Sequence, residues 1–249
     1  MNRPLRPEPA ADRPVEGDAV VAWDLPTRLF HWTLVGLVVS AWGSVQYAEA
    51  LGDPLLKWHR WNGIALLVLL LWRLLWGVAG SSTARFADFV RSPMAAAAYL
   101  GDLMRGRSRP FLGHNPLGAY MVLALLAAVG ASGLLGLFTV EHNDITAGPL
   151  YRLLDEETVK LASRVHRLLF YWVLLPLVVA HIAANVLYGV VKREPLIPAM
   201  ITGAKPARSY ADAAEAIIAR SPVLRALFLL AVSAAIVLGS IKALGGRLP

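Results

Sequence analysis

Five long apolar stretches constrain this 249-residue chain more than any other feature of its sequence. A membrane-spanning helix needs about 20 mostly apolar residues, and each stretch reaches that length. None alternates polar and apolar residues as a barrel strand does, and a helix satisfies its own backbone groups without water. We therefore predict an all-α integral membrane protein. The predicted spans are at about 29–48, 60–79, 117–138, 165–190 and 222–245.

The basic residues predict how these spans are oriented. Fourteen Lys and Arg residues fall before the first span, between spans two and three, and between spans four and five, against five or six on the other side. Basic segments stay in the cytoplasm, so the N-terminus is expected inside and the C-terminus outside a bacterial inner membrane. This orientation, together with attraction to anionic membrane lipid, accounts for the net charge of +7 without nucleic acid.

Composition limits the cofactors that the chain can hold. It has no cysteine, which excludes disulfides, thiolate-bound iron–sulfur clusters and covalently attached haem. The lack of cysteine does not exclude a non-covalently bound haem whose only protein ligands are histidines. We expect residues 1–22 to be a disordered cytoplasmic tail, 23–205 a four-helix membrane domain, and 206–249 a linker with a fifth transmembrane helix.

Four histidines pair by their predicted depth in the membrane. His59 and His166 lie near the outer face, and His31 and His181 lie near the inner face. His166 and His181 are fifteen residues apart on one helix, which is about 22 Å of depth and only about 60° of rotation. Both imidazoles can therefore face the same bundle interior.

The pairing predicts two haems b, each with two histidine ligands, because neutral imidazoles from facing helices bind iron well. Two axial histidines leave no open position on the iron, which favours electron transfer. A histidine in a span can also be a hydrogen-bonded interior residue or part of a proton path. His114 is expected at a helix start or a haem edge, and His142 in an outer loop.

Arginines flank the predicted haem sites. Haem propionates are anionic and pair well with guanidinium groups, although a long basic side chain near a helix end can also simply reach to the interface. The predicted cofactor-binding arginines are Arg28, Arg60, Arg73 and Arg167. Two other segments have predicted packing roles. Residues 92–105 are expected to form an amphipathic surface helix capped by Ser92, and small residues in the fifth span suit close helix packing.

The order of several motifs resembles the bacterial cytochrome b561-type family, which includes the cytochrome b subunit of nickel–iron hydrogenases. The resemblance covers about residues 21–205 and rests on WDLPTRLFHW, WHRWNGIALLVLLLWRLLWG, RSPMAAAAYLGDLMRG, GHNPLG, HNDITAGPL and VHRLLF followed by AHIAANVLY and VKREPLIPAMITG. It implies a four-helix di-haem core in which His31 and His181 bind one haem and His59 and His166 the other.

One spacing departs from that family. The family usually separates the two histidines of the fourth helix by fourteen residues, whereas His166 and His181 are fifteen apart, with Pro176 between them. We predict a local irregularity, of the π-bulge type, that restores the facing of the two rings.

The sequence favours an electron-transfer subunit of a respiratory oxidoreductase over a complete enzyme. It would pass electrons between quinone and a periplasmic cytochrome or a dehydrogenase or hydrogenase subunit. One alternative is a stand-alone superoxide:quinone oxidoreductase. Another is a non-redox, histidine-lined transporter or anchor. A homo-oligomer is also left open.

Overall fold

The chain folds mainly into helices. The computed structural model describes residues 19–51, 54–140, 147–213 and 222–249; residues 1–18 of the predicted tail and His142 lie outside them. The helices are α1 (Leu25–Gln46), α2 (Ala48–Leu51), α3 (Pro54–Ala79), α4 (Phe86–Phe89), α5 (Pro93–Met104), α6 (Pro116–Gly136), α7 (Glu156–Leu169), α8 (Leu175–Val191), α9 (Leu196–Thr202) and α10 (Pro222–Ala243). A π-helical turn at Phe170–Leu174 joins α7 to α8, and the strands are β1 (Ala19–Val21) and β2 (Ala204–Pro206).

Four of the described helical segments are long and apolar enough to cross a membrane. They are Leu56–Ala79, Pro116–Gly136, Glu156–Val191 and Pro222–Ala243. The first predicted span forms α1, whose 22 residues give about 33 Å of helix, but it is not among these four. Polar side chains such as Arg28, His31 and Gln46 lower its mean hydropathy. A membrane protein with several spans is therefore confirmed, and the count of five is not.

The fourth span begins earlier than predicted. Its helical segment runs over 36 residues from Glu156, whereas the apolar pattern indicated a start near 165. The added turns are polar and carry Glu156, Glu157 and Lys160, so an apolar window could not detect them. Asp155 begins the helix by accepting a hydrogen bond from the Thr158 backbone N–H at 2.9 Å.

Side-chain caps fix where the other core helices begin. Asp24 accepts a hydrogen bond from the Thr27 backbone N–H at 2.7 Å, and Asn115 caps α6 in the same way. Ser92 caps α5 as predicted, and Pro93 occupies its first turn. Each cap satisfies a backbone N–H that the helix itself cannot pair. The entry points of the helices that carry the site are therefore set locally.

The fifth helix packs on the bundle rather than standing apart from it. On α3, the Trp72 indole N–H donates to the Ala226 carbonyl of α10 at 2.9 Å. Ala226, Ser233 and Ile241 are the buried residues of α10. Leu229, Val237 and Leu238 are partly buried and pack against the core clusters. The fifth helix therefore packs on α3, but the prediction that its small residues make the contact holds only in part. Ser233 is buried, whereas Ala231, Ala235, Gly239 and Ser240 are exposed.

A two-stranded clasp joins the start of α1 to the segment after α9. Strands β1 and β2 pair antiparallel, with Val21 opposite Ala204. The backbone N–H groups of Ala22 and Trp23 both donate to the Gly203 carbonyl, at 2.8 and 3.0 Å. Residues 19–21 are thus a strand, although the sequence predicted a disordered tail through residue 22.

Candidate functional site

The four histidines singled out in the sequence meet as two pairs. The ring centroids of His31 on α1 and His181 on α8 are 6.4 Å apart. Those of His59 on α3 and His166 on α7 are 6.1 Å apart. Each pair therefore joins two helices that are distant in sequence, and the partners are those that the depth argument predicted.

Both spacings fit one metal ion between two imidazoles. Metal–imidazole bonds are about 2.0 Å long and the bonded nitrogen lies about 1.1 Å from the ring centre, so rings on opposite sides of one ion have centroids about 6.2 Å apart. Both observed distances lie close to that value. Among the described residues no group of three or more His, Cys, Asp or Glu side chains lies together. The histidines thus offer two nitrogen ligands per site, which is the ligand number that haem iron needs from a protein.

Backbone carbonyls orient the outer pair, His59 and His166. The Nδ1 atom of His59 is 2.9 Å from the Ala41 carbonyl oxygen, and Nδ1 of His166 is 2.9 Å from the Ser132 carbonyl oxygen. A carbonyl only accepts, so in each ring Nδ1 carries the proton. The lone pair is then on Nε2, and the ring orientation is fixed. This is the arrangement by which proteins prepare a histidine for a metal.

The inner pair, His31 and His181, is held differently. The Nδ1 atom of His31 is buried and has no hydrogen-bond partner among the described residues. Nε2 of His181 is 3.4 Å from the Asn185 side-chain nitrogen, and that amide also donates to the His181 carbonyl at 2.7 Å. Asn185 was missed at the sequence level, although its spacing of four residues from His181 places both on one helix face.

The predicted irregularity between His166 and His181 is confirmed. Residues Phe170–Leu174 form a π-helical turn. Pro176 follows it and has no N–H to donate to the preceding turn, which explains why the regular hydrogen-bond ladder breaks there. The π-helical turn absorbs one extra residue. The fifteen residues from His166 to His181 therefore rotate the helix about as far as fourteen residues of regular α-helix do, which is about 3.9 turns.

The four predicted arginines lie in different surroundings. Arg28 donates to the Ile201 carbonyl at 2.6 Å, and its buried Nε has no partner among the described residues. Nε of Arg60 is also buried and has no hydrogen-bond partner among the described residues. Arg73 is only 3 % exposed, and its guanidinium lies 4.7 Å from the Phe86 ring centroid. Arg167 is exposed. The orphaned donors of Arg28 and Arg60 fit anionic groups beside the histidine pairs.

His114 lies in an aromatic pocket just before α6. Its ring centroid is 4.8 Å from Trp23 and 4.6 Å from Phe89. The cap of α6 is Asn115 rather than His114. Burial lowers the pKa of His114 to about 3, and the nearby positive charges of Arg73 and Lys205 act in the same direction. The native protein therefore holds this imidazole neutral.

Acid should destabilise the protein through His114. The pKa of this imidazole is about 3 in the native state, against 6.5 for an ordinary solvated histidine, so below pH 6.5 the unfolded chain binds a proton that the native chain does not. Stability is full above pH 6.5 and falls as the pH drops, by up to about 1.4 kcal/mol per pH unit. We expect His114→Gln to flatten this dependence in denaturation midpoints measured at pH 7 and pH 5. Equal pH slopes in the two proteins would contradict it.

Comparison with known proteins agrees with these observations. The sequence model of prokaryotic cytochrome b561 matches residues 22–203, a range that contains all four paired histidines and ends before α10. No curated protein matches the chain. The match covers well over half of the chain. The chain therefore belongs to the prokaryotic cytochrome b561 family, a group of membrane cytochromes that bind haem b and take part in electron transfer.

Proposed function

We propose that the chain holds two haems b and carries electrons across the membrane between the quinone pool and a redox partner. His59 and His166 hold the outer haem, and His31 and His181 hold the inner one. The observation that carries this proposal is the spacing of the two imidazole pairs, 6.1 and 6.4 Å between centroids. Bound haem supplies reversible one-electron chemistry.

The chain's own residues hold and insulate the cofactors. The carbonyls of Ala41 and Ser132 keep the outer imidazoles in the ligating tautomer. Arg28, Arg60, Arg73 and Arg167 offer positive charge to the propionates. The apolar surfaces of the membrane helices exclude water from the space between the two pairs.

Orientation and partners follow from charge. We place the N-terminus in the cytoplasm and the C-terminus in the periplasm of a bacterial inner membrane, with α1 as the first of five spans. Exposed Asp155, Glu156 and Glu157 begin α7 at the outer end. This acidic surface suits a basic region on a periplasmic cytochrome or on a dehydrogenase or hydrogenase subunit. The exposed face of α10 is available to lipid or to a second copy.

A haem count on the purified chain tests the proposal. A pyridine haemochrome assay is expected to give two haems b per polypeptide, and a quinol is expected to reduce them. One haem or none, with the helical circular dichroism intact, would contradict the di-haem assignment. If two haems are present but no quinol reduces them, the assignment of the haem sites stands and the proposed exchange of electrons with quinone is contradicted.

The π-helical turn predicts an unusual tolerance to deletion. Deleting Val173, an exposed residue within the turn, should make the helix regular and separate His166 from His181 by fourteen residues. Both haems are expected to stay bound. Inserting one alanine after Leu174 instead rotates His181 by about 100° and should remove the inner haem. Haem content per polypeptide checks both variants, and loss of a haem on deletion would contradict the prediction.

A further inference from the structure

A cationic pocket lies at the end of the bundle that carries His59 and His166. We call it the outer pocket. Its volume is about 310 Å³, and it is formed by the start of α3, residues 147–153 and the chain after α10. Three arginines line it: Arg60, Arg152 and Arg247. Because Arg247 follows α10, the outer pocket extends beyond the segment that matches the family.

The C-terminal segment is held in place to form one wall of the outer pocket. The chain reverses at Gly245, whose φ is 77°, and the Gly246 backbone N–H donates to the Ile241 carbonyl at 2.8 Å. A Cβ at Gly246 would lie 2.8 Å from the Leu150 side chain, and Leu248 packs on the buried cluster containing Leu150 and Ile241. Hydrogen bonds and apolar packing therefore fix the wall and the base of the outer pocket.

The charged side chains that line the outer pocket in the described part of the chain are all basic. Nε of Arg60 is buried and has no hydrogen-bond partner among the described residues. The Arg152 guanidinium lies over the Tyr151 ring and donates to its hydroxyl at 3.0 Å, which directs this long side chain. No acidic side chain lines the outer pocket in the part of the chain that the structure describes. Three cations that share one pocket favour an anion between them.

The rest of the lining is aliphatic. Leu150 is buried, whereas Leu153 and Leu244 are each 53 % exposed at the rim. An anion that combines a charged group with apolar chains matches this lining better than a small ion does. Guanidinium groups bind phosphate oxygens in pairs of parallel hydrogen bonds, and basic pockets beside membrane helices hold the headgroups of acidic lipids.

We propose that the outer pocket binds a phosphate group, namely the phosphodiester of an anionic phospholipid whose glycerol and acyl chains lie along the rim leucines. The lipid joins the C-terminal segment to residues 147–153. The outer pocket shares Arg60 with the haem assignment. Arg152 and Arg247 are not among the residues proposed to hold haem, so the test changes only these two.

The test uses the full-length holoprotein in mild detergent. Short-chain phosphatidylglycerol, short-chain phosphatidylcholine and inorganic phosphate are titrated separately, and the rise in thermal midpoint gives each apparent Kd. We expect phosphatidylglycerol to stabilise the wild type and phosphatidylcholine not to. If inorganic phosphate also saturates the effect, the site is a phosphate site that free ions occupy as well. Arg152→Gln/Arg247→Gln should weaken binding about 25-fold, about fivefold per arginine.

Lys242→Gln is the matched control, because Lys242 is a basic residue in the last turn of α10 that does not line the outer pocket. Its affinity for phosphatidylglycerol should equal that of the wild type. Equal binding by the double variant, or no response to either phosphatidylglycerol or phosphate, would overturn the proposal. Loss of Soret absorbance in the double variant would also overturn it, since the arginines would then serve a haem. A wild type without haem that still binds phosphatidylglycerol would contradict only the proposed function.

Discussion

Replacing His59 by alanine is expected to lower the haem content of the purified protein from two haems per polypeptide to one. The variant removes one of two imidazoles whose centroids are 6.1 Å apart, and one remaining ligand holds haem poorly. The inner pair is formed by other residues, His31 on α1 and His181 on α8, and should keep its haem. A pyridine haemochrome assay gives the stoichiometry, and the amplitude of the Soret band should fall by about half.

Double variants make this prediction sharper, because residues that share one cofactor act non-additively. His59→Ala/His166→Ala should lose the same single haem as His59→Ala alone, whereas His59→Ala/His31→Ala should lose both. His142→Ala is the control for removing a histidine and should keep two haems. If His59→Ala/His31→Ala kept one haem, the proposed pairing would be wrong.

Substitution of Gly148 by alanine is expected to damage the outer site without touching a histidine. A Cβ at this position would lie 2.3 Å from the Gly136 carbonyl oxygen and 2.4 Å from that of Leu137. Both neighbours are backbone, so the chain must shift rather than a side chain. Gly136 also lies next to the ring of His166: a Cβ added to Gly136 would be 3.4 Å from Cε1 of that ring. We expect the shift to reach the outer pair and to reduce haem content towards one per polypeptide.

Gly36→Ala provides the matched control, because nothing lies within 4 Å of a Cβ added there. In a helix interior this change should be neutral or stabilising by up to about 1 kcal/mol. Thermal unfolding, followed at the Soret band and by circular dichroism, separates loss of haem from loss of fold. A Gly148→Ala protein with two haems and a normal thermal midpoint would show that the contact is not tight.

The sequence predicted the parts of this fold that depend on apolar length and on helix periodicity. Depth along α3 and along the segment from α7 to α8 was enough to pair His59 with His166, because rise per residue is constant in a helix. The polar start of α7 at Glu156 was not predictable from apolar length. The short strand at Ala19–Val21 was missed because its pairing depends on β2, almost two hundred residues away.

The details of the site depended on tertiary contacts that no local pattern encodes. The carbonyls of Ala41 and Ser132 orient the outer rings, and any residue type supplies a carbonyl. Sequence reasoning assigned Arg73 to a propionate, whereas the structure also gives it a contact with the Phe86 ring. Only the packing of α4 against α3 brings that ring near.

The clasp between Trp23 and Gly203 means that the segment common to the family begins and ends at one point. The match runs from residue 22 to residue 203, and the backbones of Ala22 and Gly203 are hydrogen bonded at 2.8 Å. A unit whose two ends lie side by side is suited to circular permutation, in which the original termini are linked and new termini are opened elsewhere. It can also acquire sequence at either end without rearranging its interior. The helix α10 begins beyond residue 203, so it continues the chain from the point where the two ends of the family segment meet.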